Sequence, residues 1–296
     1  MHSIITVDKT ACTACGLCST VCTHHLPFDE RGNAGAEPQG CIGCLHCYRA
    51  CSRHAIRLNG NTGGEDFDQG TMAGINEQNL LAFMARRTST RMYRDREVPR
   101  NILEKLTEAA RYIPSGGNAH ACEITVITLR DTLDRLRAEI DRLFIGKTRL
   151  LKNPLVRILA YPFADRQTRE FLKKPAYLKP VFNLADMAEQ GGDPIFYNAP
   201  AAVIIHSEQL IPTPQEDSVL AAYNMVLMGQ ALGLGSCYVS MARNALNTSG
   251  RCRRIAAVPD NHHIHAVLLI GYPRFKNLRI PRKGPGKVHW VNEERR

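Results

Sequence analysis

The chain has 296 residues, 44% hydrophobic and 22% charged, with a formal net charge of +10, which is ordinary usage for a small module plus one domain with a sizeable core. Its apolar runs fall short of the roughly 18 residues a membrane helix needs, and the N-terminal MHSIITVDKT has neither the basic start nor the long apolar core of a signal peptide, so no membrane partner and a cytoplasmic location are expected. Nucleic acid is not an expected partner either: residues 1–64 hold five Lys/Arg against four Asp/Glu, residues 273–296 eight against two, and no basic stripe is interleaved with aromatics.

Of the eleven cysteines, eight lie between Cys12 and Cys51. In a reducing compartment such crowding points to metal ligation rather than disulfides. CTACGLCSTVC at 12–22 and CIGCLHCYRAC at 41–51 repeat one spacing, C-x2-C-x2-C-x3-C. Three cysteines so spaced surround one cubane, while the fourth is directed to the other. Cys12, Cys15, Cys18 and Cys51 are therefore expected to hold one 4Fe–4S cluster, and Cys41, Cys44, Cys47 and Cys22 the second. Structural zinc, the competing reading, uses two separated pairs per site and gives no reason for a third cysteine at the same interval, twice. His24, His25, His46 and His54 are surplus to a complete thiolate set. The arrangement resembles the bacterial two-cluster ferredoxins over the whole module. Where that family usually has Pro after the fourth cysteine, this chain has Thr23 and Ser52, which alters a turn and not a ligand.

A ferredoxin-type module is thus expected over residues 1–62, a Gly- and acid-rich linker over 63–75, and an α+β domain over 76–296. In that domain Leu80, Leu81, Phe83 and Met84 predict a short amphipathic helix. Pro99 starts a second, with Ile102, Leu103, Leu106, Ala109, Ala110 and Ile113 on one side and Pro114 stopping it. Residues 122–129 alternate like a strand, and Asp131 is expected to cap a helix bearing Leu133, Leu136, Ile140 and Leu143. Residues 164–194, rich in Lys, Pro and Gly without clean periodicity, read as a mobile cover. A buried strand over 201–206 precedes an apolar helix over 216–232, ended by Gly233 and Gly235. Strands near 236–240 and 264–271, separated by a helix, complete the pattern. With no regular βαβ repeat, a doubly wound sheet is not expected.

The segment Arg87-Thr88-Ser89-Thr90-Arg91 places guanidiniums on either side of hydroxyls, a combination that suits a phosphate monoester. Pro114-Ser115-Gly116-Gly117-Asn118 follows a helix end, where the glycines permit close approach to a flat ligand and an Asn amide both donates and accepts at a pyrimidine edge. Asp193–Pro200 leads into a strand, Ala231–Cys237 closes the long helix, and Gly271-Tyr272-Pro273 ends the last strand. In this order the set resembles the nitroreductase family of FMN-dependent oxidoreductases over about residues 76–290, and the whole chain resembles the subgroup with an N-terminal ferredoxin domain.

The resemblance implies an α+β fold with a mixed sheet flanked by helices, and an intertwined homodimer with FMN at its interface. It gives the FMN phosphate to Arg87, Ser89 and Arg91, with Thr88 standing where the family often has Arg or His. A basic residue of the C-terminal tail is expected there too: Arg282, with Arg279 second. Pro114, Ser115, Gly116 and Asn118 would line the isoalloxazine, some from the partner subunit, and backbone groups of Tyr238, Val239 and Ser240 would meet its reactive edge. His120 stands where the family commonly has Gln. The expected function is relay of electrons by the two clusters to FMN for reduction of a small organic acceptor of nitroaromatic, quinone or enone type. The external donor would be a ferredoxin-like carrier or NAD(P)H, although no G-x-G-x-x-G fingerprint follows a strand. The alternative is a non-enzymatic flavin and iron–sulfur electron carrier or redox sensor serving a protein partner. Clusters and flavin phosphate, at about −2 each, would offset part of the basic excess.

Other features have plainer readings. Gly233-Leu234-Gly235 reads as a helix cap, Ser115 lacks a His–Asp partnership, His263 and His265 share a strand face as structural or surface residues, and Cys122, Cys237 and Cys252 read as core or near-core thiols.

Overall fold

The computed structural model describes residues 5–22, 26–29, 35, 41–58, 74–163, 169–170, 173–210, 212–275, 279–280 and 286–290. Arg282, His24, His25, Thr23 and nearly all of the expected linker over 63–75 lie outside the described residues. The chain separates into two units, one of residues 1–74, 114–121 and 210–217, the other of residues 75–113, 122–209 and 218–296.

In the first unit, β1 (Ile5–Val7) precedes two short helices, α1 (Leu17–Thr20) and α2 (His46–Ala50), and pairs antiparallel with β2 (Ile56–Leu58), Ile5 opposite Leu58. Each helix starts directly after a left-handed residue, Gly16 at φ 77° and Leu45 at φ 62°. A second left-handed residue stands two positions earlier in each repeat, Ala14 at φ 57° and Gly43 at φ 63°. The duplicated spacing is thus duplicated backbone: each cysteine triplet curls through the same two turns, at a strain cost wherever the residue is not glycine. Ile5, Cys18, Leu26 and Ile56 form the small core.

In chain order the larger unit contributes α3 (Glu77–Arg86), α4 (Arg100–Ala109), β3 (Glu123–Ile127), α5 (Arg130–Lys152), α6 (Pro154–Ala160), α7 (Pro175–Glu189), β4 (Ala201–Glu208), most of α8 (Pro214–Ala231), β5 (Gly235–Tyr238), α9 (Ser240–Thr248), α10 (Gly250–Ala256) and β6 (His262–Gly271). The strands lie in the order β3–β4–β6–β5, every ladder antiparallel. Among the described residues the parallel element is a single bridge from Ser89 to Ser236. β4 and β6 are buried almost throughout because both faces are covered. On one face Ala202, Ile204, Val267 and Leu269 join Leu136 and Ile140 of α5 and Leu246 of α9. On the other, Val203, Ile205, Leu268 and Ile270 join Leu103 and Leu106 of α4 and Met225 of α8.

Several boundaries depart from expectation. α5 begins before Asp131, with Leu129 at the cap position. Asp131 sits in the first turn, 3.5 Å from Arg135, where a carboxylate still favours the helix dipole without capping it. The expected cover over 164–194 contains α7, whose period is obscured by Pro175 at its start and Pro180 inside it. Two helices rather than one separate β5 from β6, because Ser249 interrupts the run and caps α10, accepting from the Cys252 amide at 3.3 Å. Gly233, at φ 75°, does end α8 as a left-handed cap, with the Leu234 amide donating back to the Gly229 carbonyl at 2.7 Å.

Candidate functional site

The first unit contains two small cavities. One is lined by Cys12, Cys15, Cys18 and Cys51, with Phe28 and Ile56; the other by Cys22, Cys41, Cys44 and Cys47, with Ile5 and Leu26. This partition of the eight thiols is the one read from the spacing: α1 carries the chain on to Cys22 and α2 to Cys51, so each triplet meets the last cysteine of the other repeat. The Gly43 amide donates to Cys41 Sγ at 3.4 Å and the Ala55 amide to Cys51 Sγ at 3.3 Å, contacts that favour thiolate over thiol. Burial acts the other way, pushing the Cys18 and Cys47 thiols up, with the neighbouring cysteines of each set adding to the shift. Four thiolates crowded in an apolar pocket are stable only around positive charge, so this all-sulfur donor set fits a thiolate-ligated iron–sulfur cluster.

The same unit includes the turn Pro114–Ala121. Gly117 (φ 60°), Asn118 (φ 55°) and His120 (φ 46°) are all left-handed. The Gly116 amide donates to Thr213 Oγ1 at 2.9 Å and to Asp217 Oδ1 at 3.3 Å, and the Thr213 hydroxyl donates to Asp217 at 2.7 Å. A Cβ on Gly116 would lie 2.2 Å from Thr213 Oγ1, so the close approach requires glycine. Ser115 Oγ accepts from the His120 amide at 3.1 Å, a turn-closing bond with no histidine ring in it. The Asn118 side chain donates to the Ile42 and Gly43 carbonyls, each at 3.0 Å. Both N–H donors that sequence analysis reserves for a flavin are engaged by the backbone between Cys41 and Cys44.

In the second unit the segment after α3 lies along the edge of β5. The Thr90 amide donates to the Ser236 carbonyl at 2.8 Å, Tyr93 bridges Pro273, and the Arg94 amide donates to Tyr272 at 2.8 Å. Arg87, Ser89 and Arg91 are thereby brought to one strand edge; Thr88, between them, is exposed. Their neighbours are polar groups held in apolar surroundings. Burial pushes the Tyr238 phenol up to about 12, Tyr223 reinforcing the shift and the Arg87 charge opposing it. Burial likewise raises the Cys237 thiol against the Arg91 charge and a hydrogen bond from Ser89. Tyr197 is raised by burial with Cys237 beside it, while a hydrogen bond from Arg91 opposes. The edge therefore carries cationic donors beside neutral hydroxyls, which is an anion-binding arrangement. The Val239 amide is committed to the Val267 carbonyl at 3.0 Å. Past it, the first amides of α9, which starts at Ser240, have no acceptor within their own helix.

Two features of this unit were not expected from the residues. Asp193 accepts from the Phe196 amide at 2.8 Å and the Asn198 amide at 2.7 Å, bending the chain so that Tyr197 and Asn198 are left-handed and Tyr197 meets Arg91. The D-P-I-F-Y-N-A-P run was the available signal. The second is a polar chain at the end of the sheet. Thr125 Oγ1 lies 2.9 Å from His206 Nε2, His206 Nδ1 lies 2.8 Å from His262 Nδ1, and His262 Nε2 lies 3.9 Å from Glu123. His262 turns a different nitrogen to each neighbour, and one ligand atom from each of Glu123, His206 and His262 lies within 4.8 Å of the others. His263 and His265 stand together as read, ring centroids 5.0 Å apart, with His265 hydrogen-bonded to Ser207 at 3.0 Å. Cys237 and Cys252 are buried and Cys122 is half-buried.

A profile of the Nitroreductase family matches residues 84–272. No match was found among curated proteins. Among solved structures, a nitroreductase with bound FMN from Bacteroides fragilis NCTC 9343 shares 22% identity over 74% of this chain and 100% of its own, with a TM-score of 0.52. A nitroreductase with bound FMN from Desulfitobacterium hafniense DCB-2 shares 19% over 74% and 100%, at 0.51. Oxidized iodotyrosine deiodinase bound to FMN and 3-iodo-L-tyrosine shares 18% over 72% and 99%, at 0.50. At such identities the likeness is one of fold. The family match takes in the Arg87–Arg91 edge, the Pro114–Asn118 turn and all of β3 to β6, and the chain belongs to the Nitroreductase family.

Proposed function

We propose that this chain is an FMN- and iron–sulfur-dependent oxidoreductase in which two 4Fe–4S clusters relay electrons to FMN for reduction of a small organic acceptor of nitroaromatic, quinone or enone type. The observation that carries the reading is the pair of cavities, each lined by four cysteines, in a chain of the Nitroreductase family. Support for FMN comes from the FMN-bound structures that share the fold and from the cationic edge along β5. When bound, the clusters supply single-electron steps and FMN converts them into delivery of a hydride equivalent.

The protein's part is to hold and orient these groups. Cys12, Cys15, Cys18 and Cys51 hold one cluster, and Cys22, Cys41, Cys44 and Cys47 the other, in a ferredoxin-type module over residues 1–62. Arg87 and Arg91 hold the FMN phosphate through charge-assisted bonds, Ser89 and Thr88 add hydroxyls, and Arg282 adds a further cation. Pro114, Ser115 and Gly116 line the isoalloxazine together with the backbone of Asn118, whose side chain is turned to the Ile42 and Gly43 carbonyls. The chain from Tyr238 through Val239 to Ser240 faces the ring's reactive edge, where the amides opening α9 are the donors to developing negative charge. Electrons come from an external ferredoxin-like carrier or from NAD(P)H.

A homodimer belongs to the proposal. α3 has no buried residue, and its Leu80, Leu81 and Met84 are exposed. Leu155, Ile158 and Leu159 of α6 are 68%, 67% and 72% exposed. Apolar helices with this much open surface in one chain are what a second copy covers. Among the described residues no helix is long and apolar enough to cross a membrane.

Anaerobic assays with reduced ferredoxin, NADH or NADPH, against a panel of nitroaromatics, quinones and enones, test the reading. Turnover with reduced ferredoxin is expected. Rapid flavin reduction by NADPH without change in the clusters would remove the clusters from the route. A tight complex with another redox protein and no turnover would favour a carrier.

A further inference from the structure

We propose that Asn118 is a positioning residue that ties the Cys41–Cys44 loop to the flavin-lining turn, which makes the cluster held by Cys22, Cys41, Cys44 and Cys47 the exit to the flavin. The inference rests on the function proposed above and adds an order to its two clusters.

The contact lies within the first unit and uses every polar atom of the side chain. Asn118 Nδ2 donates to the Ile42 and Gly43 carbonyls at 3.0 Å each. Carbonyls only accept, so chemistry fixes which end of the amide faces them. Asn118 Oδ1, which only accepts, lies 2.9 Å from His120 Nε2, so the imidazole donates and the amide cannot turn. The backbone on both sides of this bond is held in the left-handed region: Asn118 at φ 55° and His120 at φ 46°, facing Gly43 at φ 63°. Strain of this kind in two non-glycine residues persists only where surrounding contacts over-determine it.

The other end of the same turn is fixed independently. The Gly116 amide is held by Thr213 and Asp217, and no side chain fits at Gly116. A short turn clamped at both ends is rigid, and one of its clamps is the backbone between two cysteines of one cavity. Among the described residues the turn makes no comparable bond to the Cys12–Cys18 loop. One thiol set is therefore tied to the turn proposed to line the isoalloxazine, and the other is not.

The consequence is geometric control of electron delivery. Full reduction of FMN takes two electrons and two protons; a donor such as reduced ferredoxin is oxidised twice, and solvent supplies the protons. Releasing the latch leaves both cofactors bound but lets their separation wander.

The test compares wild type with Asn118→Asp, which is isosteric but turns a carboxylate oxygen toward two carbonyls, and with His120→Ala, which leaves the amide free to rotate. Iron, sulfide and FMN contents, hydrogen exchange at the Gly43 amide, and flavin bleaching by reduced ferredoxin are measured on each holoprotein. Expected for Asn118→Asp are wild-type contents, faster exchange at Gly43, and bleaching slowed roughly ten- to hundredfold, the scale of an ångström-sized misplacement. His120→Ala should shift both readouts the same way by less. Unchanged exchange and bleaching at full contents overturn the proposal, as does loss of FMN with Gly43 exchange unchanged, which would make Asn118 a flavin contact. Absence of iron or flavin from the wild type would instead remove the function on which it rests.

Discussion

Thr90 Oγ1 lies where a side chain on Gly235 would begin: a Cβ there would stand 2.2 Å from it and 2.7 Å from Thr90 Cβ. The segment bearing Arg87, Ser89 and Arg91 is seated directly on β5, and the seat admits no side chain. Gly235→Ala should push this segment off the strand, at a cost of about 1–3 kcal/mol for overpacking. The expected outcome is a lower Tm together with a lower FMN content. A variant equal to wild type in both would show that this close approach does not organise the edge.

Arg91 and Arg87 are proposed to hold the flavin phosphate. Replacing either by Ala removes charge-assisted bonds worth about 1.5–3 kcal/mol, roughly a ten- to hundredfold rise in the FMN Kd. Fluorescence titration of deflavinated protein with FMN measures it. Thr88→Ala, at an exposed position, should change the Kd much less.

The partition of thiols makes a sharp prediction from paired substitutions. Cys12→Ser with Cys51→Ser touches only one cavity, whereas Cys12→Ser with Cys22→Ser touches both. The first pair should remove about half of the iron and sulfide and the second most of it, as expected where the fourth ligand crosses to the other cluster. Equal losses from the two pairs would contradict the crossed arrangement.

Buried His206 should make stability depend on pH. Burial, then the His262 imidazole, hold His206 below its ordinary value of 6.5, with Glu123 opposing and Arg253 adding to the shift. The unfolded chain therefore binds this proton more readily than the folded one, so stability rises with pH across the window between the two values. It is complete above about pH 6.5, falls as the pH drops through that value, and levels off below the folded value. The difference in Tm between wild type and His206→Gln, followed from neutral to mildly acidic pH, should shrink over this window. A constant difference would mean that His206 does not titrate with folding.

How much of this was legible in the residues depends on how local each signal is. The run AAVIIH reads as a buried strand, and Gly233 after an apolar helix reads as its cap. The cysteine partition was legible because the spacing acts through the next few residues. α7 was not, since Pro175 and Pro180 interrupt the pattern that announces a helix, although Pro175 is tolerated in its first turn. The polar chain through His206 and His262 joins residues 56 apart at a β-bulge where the register shifts after Ile205, and no period in the sequence announces that. Asn118 is the clearest case: its motif declares an amide that donates and accepts, but its partner Ile42 stands 76 residues away.

Iron, acid-labile sulfide, zinc and flavin should be quantified in protein purified without oxygen. About eight iron, about eight sulfide and about one FMN per chain are expected, with a visible spectrum in which flavin bands ride on broad iron–sulfur absorption. Zinc in place of iron, or a reconstituted protein that retains no flavin, would contradict a flavin fed by two iron–sulfur clusters.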